Sequence, residues 1–198
     1  VFRAELLQPT SAAQILAKPL KDLDLAGIYA AGPVVRALAN SAGQTLWFST
    51  QTFSFDYSLY NSEQKAVKST FSQSDWSGEA YAQDLSRSQK LLALMSRPSV
   101  SLPRGEHRAY LAPAAVAELC STMMHSGFGE SYHRQGQSGL KLMREGGSLS
   151  PLFTLHEDFT PGLVPRFSPT GELAPEKTTL IRQGQLVNTL VSARSSKE

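Results

Sequence analysis

Residues 108–124 read RAYLAPAAVAELCSTMM, and this stretch predicts a short strand that runs directly into a helix. Pro113 suits the first helical turn, because its missing N–H would be unpaired there anyway. Four apolar residues then recur at i, i+3, i+4 and i+7: Val116, Leu119, Cys120 and Met123. That spacing is typical of one buried helix face, and Gly127 is a natural stop for the helix.

Several short motifs follow this helix in a fixed order. They are a Gly-Phe-Gly turn at 127–129, a Ser-Gly-Leu segment at 138–140, an apolar strand over Pro151–Leu155, the acidic turn His156-Glu157-Asp158, and Pro165-Arg166-Phe167. Together with the strand and helix before them, these motifs resemble the TldD/PmbA family of metallopeptidases. The closing segments 180–186 and 190–195 are similar to it as well. That family has been linked to peptide maturation and to modulation of DNA gyrase.

The resemblance also implies where a catalytic zinc site would lie. The catalytic member of the family, TldD, carries a His-Glu-x-x-x-His pattern on a helix, and the comparable helix here is 113–126. The register that keeps the glutamate places Ala117, Glu118 and Thr122 at the three pattern positions. Zinc takes imidazole, thiolate or carboxylate donors, and neither Ala117 nor Thr122 supplies one. We therefore expect no catalytic residue and no zinc in this chain, as in the non-catalytic member, TldE (PmbA).

The function that the resemblance implies is that of a non-catalytic subunit. Such a subunit would form a dimer with a zinc-bearing TldD-like partner, or self-associate, and would help to cleave unfolded peptides. Exposed strand edges suit this work, because backbone hydrogen bonding binds an extended peptide with little sequence preference. Two alternatives stay open: a stand-alone binding or scaffolding protein with the same fold, and a peptidase whose catalytic residues lie outside these 198 residues. Because the chain begins at Val1 and ends at Glu198, we expect an internal piece of a longer protein.

Composition narrows the classes of partner. The 19 basic and 17 acidic side chains nearly balance, and no Lys/Arg cluster predicts a nucleic-acid surface, so any effect on gyrase would be indirect. One cysteine excludes an internal disulfide and fits a reducing compartment such as the cytoplasm. No apolar run approaches the roughly 18 residues of a membrane helix, so no membrane partner is expected.

The first hundred residues predict an antiparallel meander with a helix. A short helix over Ala12–Ala17 would end at Pro19. Strands are predicted at Leu25–Ala31, Val34–Ala39 and Gln44–Ser49, with turns at Gly32-Pro33 and over 40–43. The residues Phe53, Phe55, Tyr57 and Leu59 alternate with polar residues and predict an aromatic row on one sheet face. A return strand at Lys65–Ser72 would complete a sheet of four or five strands.

A helix follows this sheet in the predicted order. It spans Glu79–Met95, with Tyr81, Leu85, Leu92 and Met95 near one face. A linker over Ser99–Gly105 then separates two regions. Residues 1–98 are expected to be part of an α/β sheet domain, and residues 99–198 the start of a β-rich C-terminal domain.

The chain closes on a predicted hairpin. Thr178–Ile181 and Gln185–Val191 would pair around a turn at Gln183-Gly184, although glutamine is a weaker turn former than asparagine. The predicted fold class is therefore α+β. An antiparallel sheet with its helix is followed by a β-rich region that contains a buried helix.

Four histidines are the remaining metal candidates: His107, His125, His133 and His156. His125 and His133 flank the glycine turn and could share an ion, but zinc sets usually need three protein ligands. His156 adjoins Glu157 and Asp158, yet neighbouring strand residues point to opposite faces, which favours a structural turn. If the chain does bind a metal, His125, His133 and His156 are the residues to examine. His107 is expected to face solvent.

Two further side chains have reactive or charged groups. Cys120 lies on the predicted buried stripe without a histidine one turn away, which favours a small hydrophobe over a nucleophile that needs an adjacent base. Arg166 could clamp a carboxylate or phosphate, but pairing within a turn or on the surface is the interpretation that we favour. The sequence does not predict which residues bind a substrate.

Overall fold

The computed structural model describes residues 5–20, 23–124 and 126–197. These residues form two compact units, the first ending at Pro103 and the second beginning at Arg104. Each unit combines helices with a three-stranded antiparallel sheet, which confirms the predicted α+β class. Within these ranges no helix is both long enough and apolar enough to cross a membrane.

The first unit is built on a long β-hairpin. Its elements are α1 (Pro9–Ala17), a 3₁₀ turn (Lys18–Leu20), β1 (Asp24–Ala39), β2 (Thr45–Tyr60), β3 (Ala66–Gln73) and α2 (Gly78–Met95). The strand order is β1-β2-β3, and β3 pairs only with the second half of β2, from Phe53 to Tyr60. The predicted return strand and the predicted long helix are both confirmed to within one residue.

The predicted turn at Gly32-Pro33 is wrong, because β1 runs through it as one strand of 16 residues. Its pairing with β2 is unbroken from Asp24↔Tyr60 to Ala39↔Thr45. β2 likewise joins the separate strands that we predicted before and after Thr50. The described part of this unit therefore has three strands rather than four or five.

The position of Pro33 explains why the strand tolerates it. The Asn40 N–H donates to the Gln44 carbonyl, and this pair continues the β1–β2 register. Hydrogen-bonded pairs recur at every second residue of an antiparallel ladder. The even-numbered residues of β1 are therefore those that bond to β2. Odd-numbered residues then direct their N–H and C=O groups away from β2. Proline has no N–H to lose at such a position, which is where strands accept it.

The core of the first unit is the aromatic row of β2. Phe53, Phe55, Tyr57 and Leu59 are at most 3% exposed, which confirms the predicted buried face. Tyr81, Leu85 and Leu92 of α2 pack against this row, whereas Met95, predicted on the same face, is 42% exposed. The Ser77 hydroxyl caps α2 by accepting from the Ala80 N–H.

The second unit has shorter elements. They are α3 (Pro113–Met124), α4 (Glu130–Arg134), α5 (Lys141–Arg144), β4 (Leu155–Asp158), β5 (Lys177–Arg182) and β6 (Gln185–Leu186). Its core is formed by Phe128, Leu140, Met143, Leu180 and Ile181. The strand predicted over Pro151–Leu155 begins only at Leu155, and that predicted over Gln185–Val191 stops at Leu186.

The closing hairpin is confirmed with its turn. Gln183 and Gly184 have φ of 48° and 79°, and positive φ at both central residues is typical of a type I′ turn. A Cβ at Gly184 would collide with the Leu149 carbonyl oxygen. Glycine is therefore required at this position for packing as well as for backbone conformation.

The predicted burial of the helix now defined as α3 is wrong, and so is the strand at 108–112 before it. No residue of α3 is buried: Leu119 and Met123 are 50% and 40% exposed. Of the four residues in the predicted apolar stripe, Val116 and Cys120 are half-buried, and Leu119 and Met123 are exposed. Spacing indicates that one helix face is apolar, and it does not indicate what lies against that face.

The two leucines Leu180 and Leu119 allow a matched test of this packing. Leu180→Ala should destabilise the protein by about 2–5 kcal/mol, because Leu180 is 3% exposed. Leu119→Ala should change the free energy of unfolding by roughly 0.5 kcal/mol or less, as at other surface positions. Urea denaturation followed by far-UV circular dichroism measures both. Equal losses would contradict the exposed position of α3.

Candidate functional site

The three positions of the expected zinc motif lie on α3 and are all exposed. The Thr122 hydroxyl donates to the Glu118 backbone carbonyl at 3.0 Å, so it is used within the helix. Neither Ala117 nor Thr122 carries a nitrogen that zinc prefers. The side chains present at these positions therefore do not fit a zinc site of the TldD type.

The histidines occupy separate environments. His133 is 7% exposed, and its Nε2 lies 3.2 Å from the Ser138 Oγ. Because Ser138 already donates to the Gly127 carbonyl, the His133 Nε2–H is the donor in that contact. His156 lies on the exposed side of β4, with Nδ1 3.0 Å from the Thr179 Oγ1.

The two described metal candidates, His133 and His156, do not belong to a metal-binding cluster of described residues. Among residues 5–20, 23–124 and 126–197, no three His, Cys, Asp or Glu side chains are close enough to share a metal ion. His125 lies outside the described residues. Cys120 is half-buried on α3 rather than fully buried as predicted. Arg166 donates to the Glu176 carboxylate at 3.0 Å, the pairing that we favoured.

A carboxylate that we did not single out from the sequence, Glu130, holds the second unit together. It accepts from the Thr189 Oγ1 at 2.6 Å, the Arg134 Nε at 2.9 Å and the Arg144 Nη2 at 3.2 Å. These bonds, first that from Thr189, lower the pKa of Glu130 to about 2. The i,i+4 spacing between Glu130 and Arg134 was visible in the sequence. The contact between Glu130 and Thr189 was not, because the two residues are far apart along the chain.

The best candidate for a binding site is the free edge of β1. Among the described strands β1 pairs only with β2, so its opposite edge has no partner strand. The odd-numbered residues that direct N–H and C=O groups to this edge include Leu25, Gly27, Tyr29 and Ala31. The sequence does contain a signal for this edge, since proline inside a strand is typical of edge positions.

A groove runs beside this edge. An open cavity of about 640 Å³ lies between α1 and β1, lined among others by Leu16, Leu25, Gly27 and Tyr29. At Gly27 a Cβ would come within 2.8 Å of the Tyr57 Cβ, so only glycine fits the floor at that point. An extended peptide could add to the edge as a fourth strand, and its alternate side chains would enter the groove.

Comparison with known proteins supports the fold. No protein-family model matches the sequence, and no curated protein matches it. A solved structure is similar: a candidate modulator of DNA gyrase from Bacteroides thetaiotaomicron superposes with a TM-score of 0.64 over 96% of this chain, at 16% sequence identity. The match shows a shared fold with a protein of the kind to which the sequence motifs point. The chain spans 46% of the length of that protein.

Substitution of Glu130 provides a test of the carboxylate cluster. Because its pKa is about 2 in the folded protein and ordinarily about 4.3, its stabilisation is complete above pH 4.3 and is lost as the pH falls through 2. Glu130→Gln should therefore lower the melting temperature at pH 7, and the difference from wild type should shrink towards pH 2. Thermal unfolding across this pH range measures it.

Glu145→Gln is the control for that experiment. Among the described residues Glu145 pairs only with Lys141, at 3.8 Å on the surface, and such exposed pairs contribute little. The control should melt within about a degree of wild type, since surface substitutions usually stay within ±0.5 kcal/mol. A Glu130→Gln protein as stable as this control at pH 7 would contradict the structural role of Glu130.

Proposed function

We propose that this chain is a zinc-less subunit that binds unfolded peptides and completes a peptidase together with a zinc-bearing, TldD-like partner. The observation that carries the proposal is the free edge of β1 beside the α1–β1 groove. Backbone hydrogen bonding at such an edge binds extended chains with little dependence on side chains. Peptides without stable structure are the substrates that present such a backbone.

The roles of the two subunits in this proposal follow from which side chains can bind zinc. A catalytic zinc ion needs about three protein ligands and an open position for the water that it activates. The expected helix supplies Ala117 and Thr122 instead, so in this proposal the partner contributes the hydrolytic chemistry. The chain shares its fold with a candidate gyrase modulator, which supports the family resemblance from which this proposal starts. An effect on gyrase would be indirect, given the balanced charge of +2.

The exposed stripe of α3 is the surface that we assign to the partner subunit. Its apolar residues Leu119 and Met123 are 50% and 40% exposed. Apolar side chains that recur along one helix face normally pack against another element. In a dimer the partner subunit would provide that contact. The partner would then cover a surface that the described elements leave open.

Reconstitution tests the two-subunit proposal. The chain alone should leave an unfolded peptide intact and should purify without stoichiometric zinc after mild chelation and zinc re-addition. Addition of a TldD-like protein should give chelator-sensitive cleavage, and Leu119→Asp should reduce that cleavage without unfolding this chain. Elemental analysis and a peptide-cleavage assay measure these results.

Two outcomes separate the proposal from its alternatives. Stoichiometric zinc with cleavage by this chain alone would contradict it and direct attention to His125, His133 and His156. Peptide binding without any cleavage in the presence of the partner would favour the stand-alone binding or scaffolding protein. Leu119→Asp with undiminished cleavage would remove α3 as the contact surface.

Proline substitutions in β1 test the peptide-binding edge directly. Ala31→Pro removes an N–H that faces the free edge, so it should weaken binding of an unfolded peptide by about tenfold, the value of roughly one to two backbone hydrogen bonds. It should leave the β1–β2 ladder intact. Fluorescence anisotropy of a labelled peptide, with circular dichroism as the folding check, measures both effects.

The matched control is the neighbouring residue. Ala30 is even-numbered and bonds to β2, so Ala30→Pro should break the ladder and lower stability by about 1–3 kcal/mol, the usual cost of leaving a hydrogen-bond partner unpaired. If Ala31→Pro folded normally and bound the peptide as tightly as wild type, the free edge of β1 would not be the binding site.

A further inference from the structure

Glu157 lies on the inward face of β4, where its neighbours on the same face are apolar. Along β4 and its flanks, Phe153, Leu155, Glu157 and Phe159 are half-buried, whereas His156 and Asp158 between them are exposed. Phe153 and Leu155 pack against the core of the second unit. The carboxylate of Glu157 therefore shares an inward face with apolar neighbours.

The described residues offer this carboxylate no partner that would offset its partial burial. Within the part of the chain that the structure describes, no hydrogen bond or ion pair reaches the Glu157 carboxylate, and burial alone raises its pKa. The adjacent Asp158 differs, since it bonds to Thr160 and lies 3.2 Å from the Lys177 Nζ. A desolvated, unpaired carboxylate lowers stability, and such groups in clefts are often functional.

Glu157 also faces a groove of suitable size. An open cavity of about 490 Å³ lies over it, with walls that include Phe159, Phe167, Leu173 and Leu190. Small-molecule pockets usually measure about 300–1,000 Å³ and have mainly apolar walls with a few polar groups. Glu157 and the cross-strand residue Thr178 supply such polar groups here.

The charges that line the groove decide the sign of the ligand. Arg166 is engaged by the Glu176 carboxylate at 3.0 Å, and Glu172 accepts from the Ser168 hydroxyl at 3.0 Å. Glu157 is the lining charge left without a partner among the described residues, and it is negative. The groove is therefore complementary to a cation and not to an anion.

We propose that this groove binds a primary ammonium group carried on an apolar stem. The ammonium would pair with the Glu157 carboxylate, a charge-assisted contact that is strengthened by the low polarity around it. The stem would lie against Phe159 and Phe167, whose ring faces also attract cations. A lysine side chain of a polypeptide and a free aliphatic amine both have this chemistry.

Titration of the ¹⁵N-labelled 198-residue chain with n-pentylammonium, followed by two-dimensional NMR, tests the proposal. We expect saturable shifts of the amides of Phe167, Thr178 and Leu190, which line the groove. Glu157→Gln should weaken this binding by about tenfold or more, the usual effect of removing one hydrogen bond to a charged group. n-Pentanol and n-pentanoate, with the same stem, should bind more weakly than the amine.

Two controls keep the outcome decisive. Glu157→Gln should fold and be at least as stable as wild type near pH 7, because a carboxyl whose pKa is raised in the folded protein destabilises it once ionised. Glu172→Gln alters a lining carboxylate that is already hydrogen-bonded and should keep the wild-type affinity. Equal binding by wild type and Glu157→Gln, stronger binding of n-pentanoate, or an absence of saturable shifts would overturn the proposal.

The source of the ammonium group is distinguished by a second ligand. N-acetyl-lysine N-methylamide presents the same group as a residue within a polypeptide would. Tighter binding of this compound than of n-pentylammonium assigns the groove to a lysine side chain, and the reverse order assigns it to a free amine. Loss of either interaction in Glu157→Gln leaves the β1 edge untouched, so this test is independent of the proposed peptide-binding function.

Discussion

The packing of Tyr57 beneath α2 is the interaction on which the first unit depends. Its ring is 2% exposed, and its hydroxyl donates to the Asp84 Oδ2 at 2.7 Å while it accepts from the Ser88 Oγ at 2.9 Å. Burial is the main reason that the pKa of Tyr57 rises to about 12. Burial of the ring is worth about 1.5–3 kcal/mol and each hydrogen bond about 1 kcal/mol. Burial of the ring and its two hydrogen bonds therefore contribute comparably to holding the helix on the sheet, and the hydrogen bonds also fix its position.

The edge of the sheet at β1 lies away from the strands that α2 covers. The helix contacts β2 and β3, whereas β1 is the edge strand and borders the groove beside α1. The N–H and C=O groups at the free edge of β1 are therefore accessible. The long hairpin, the proline within it and the glycine at the floor of the groove all contribute to this. A protein normally blunts or covers such an edge. An edge that is retained beside an open groove is consistent with recognition of an extended chain.

In the second unit the carboxylates show two different kinds of environment. Glu130 and Asp158 are surrounded by donors, and each has its pKa lowered to about 2. Glu157 has an apolar environment and a raised pKa. Partnered carboxylates are explained by the structure that they stabilise. A carboxylate that lies in a groove and has no partner among the described residues is better explained by a ligand that the groove binds.

Local patterns in the sequence predicted most of the elements of this protein. The alternation over 53–59, the spacing along 79–95 and the turn at Gln183-Gly184 each depend on neighbouring residues and on backbone geometry, so they predicted β2, α2 and the closing hairpin. The motif order also pointed to the kind of protein whose fold the chain shares. The sequence also places Ala117 and Thr122 at the expected motif positions, and the structure adds that both are exposed on α3.

Tertiary structure alone decided which faces and edges are covered. Periodicity marks the stripe of α3 as apolar but carries no information on what packs against it, and the helix is exposed. Gly32-Pro33 reads as a turn locally, yet the register with β2 carries β1 through it. Glu130 meets Arg144 and Thr189 across separations of 14 and 59 residues, and the Glu157 groove likewise joins distant segments. Contacts between residues so far apart depend on the folded path of the chain, which no local pattern specifies.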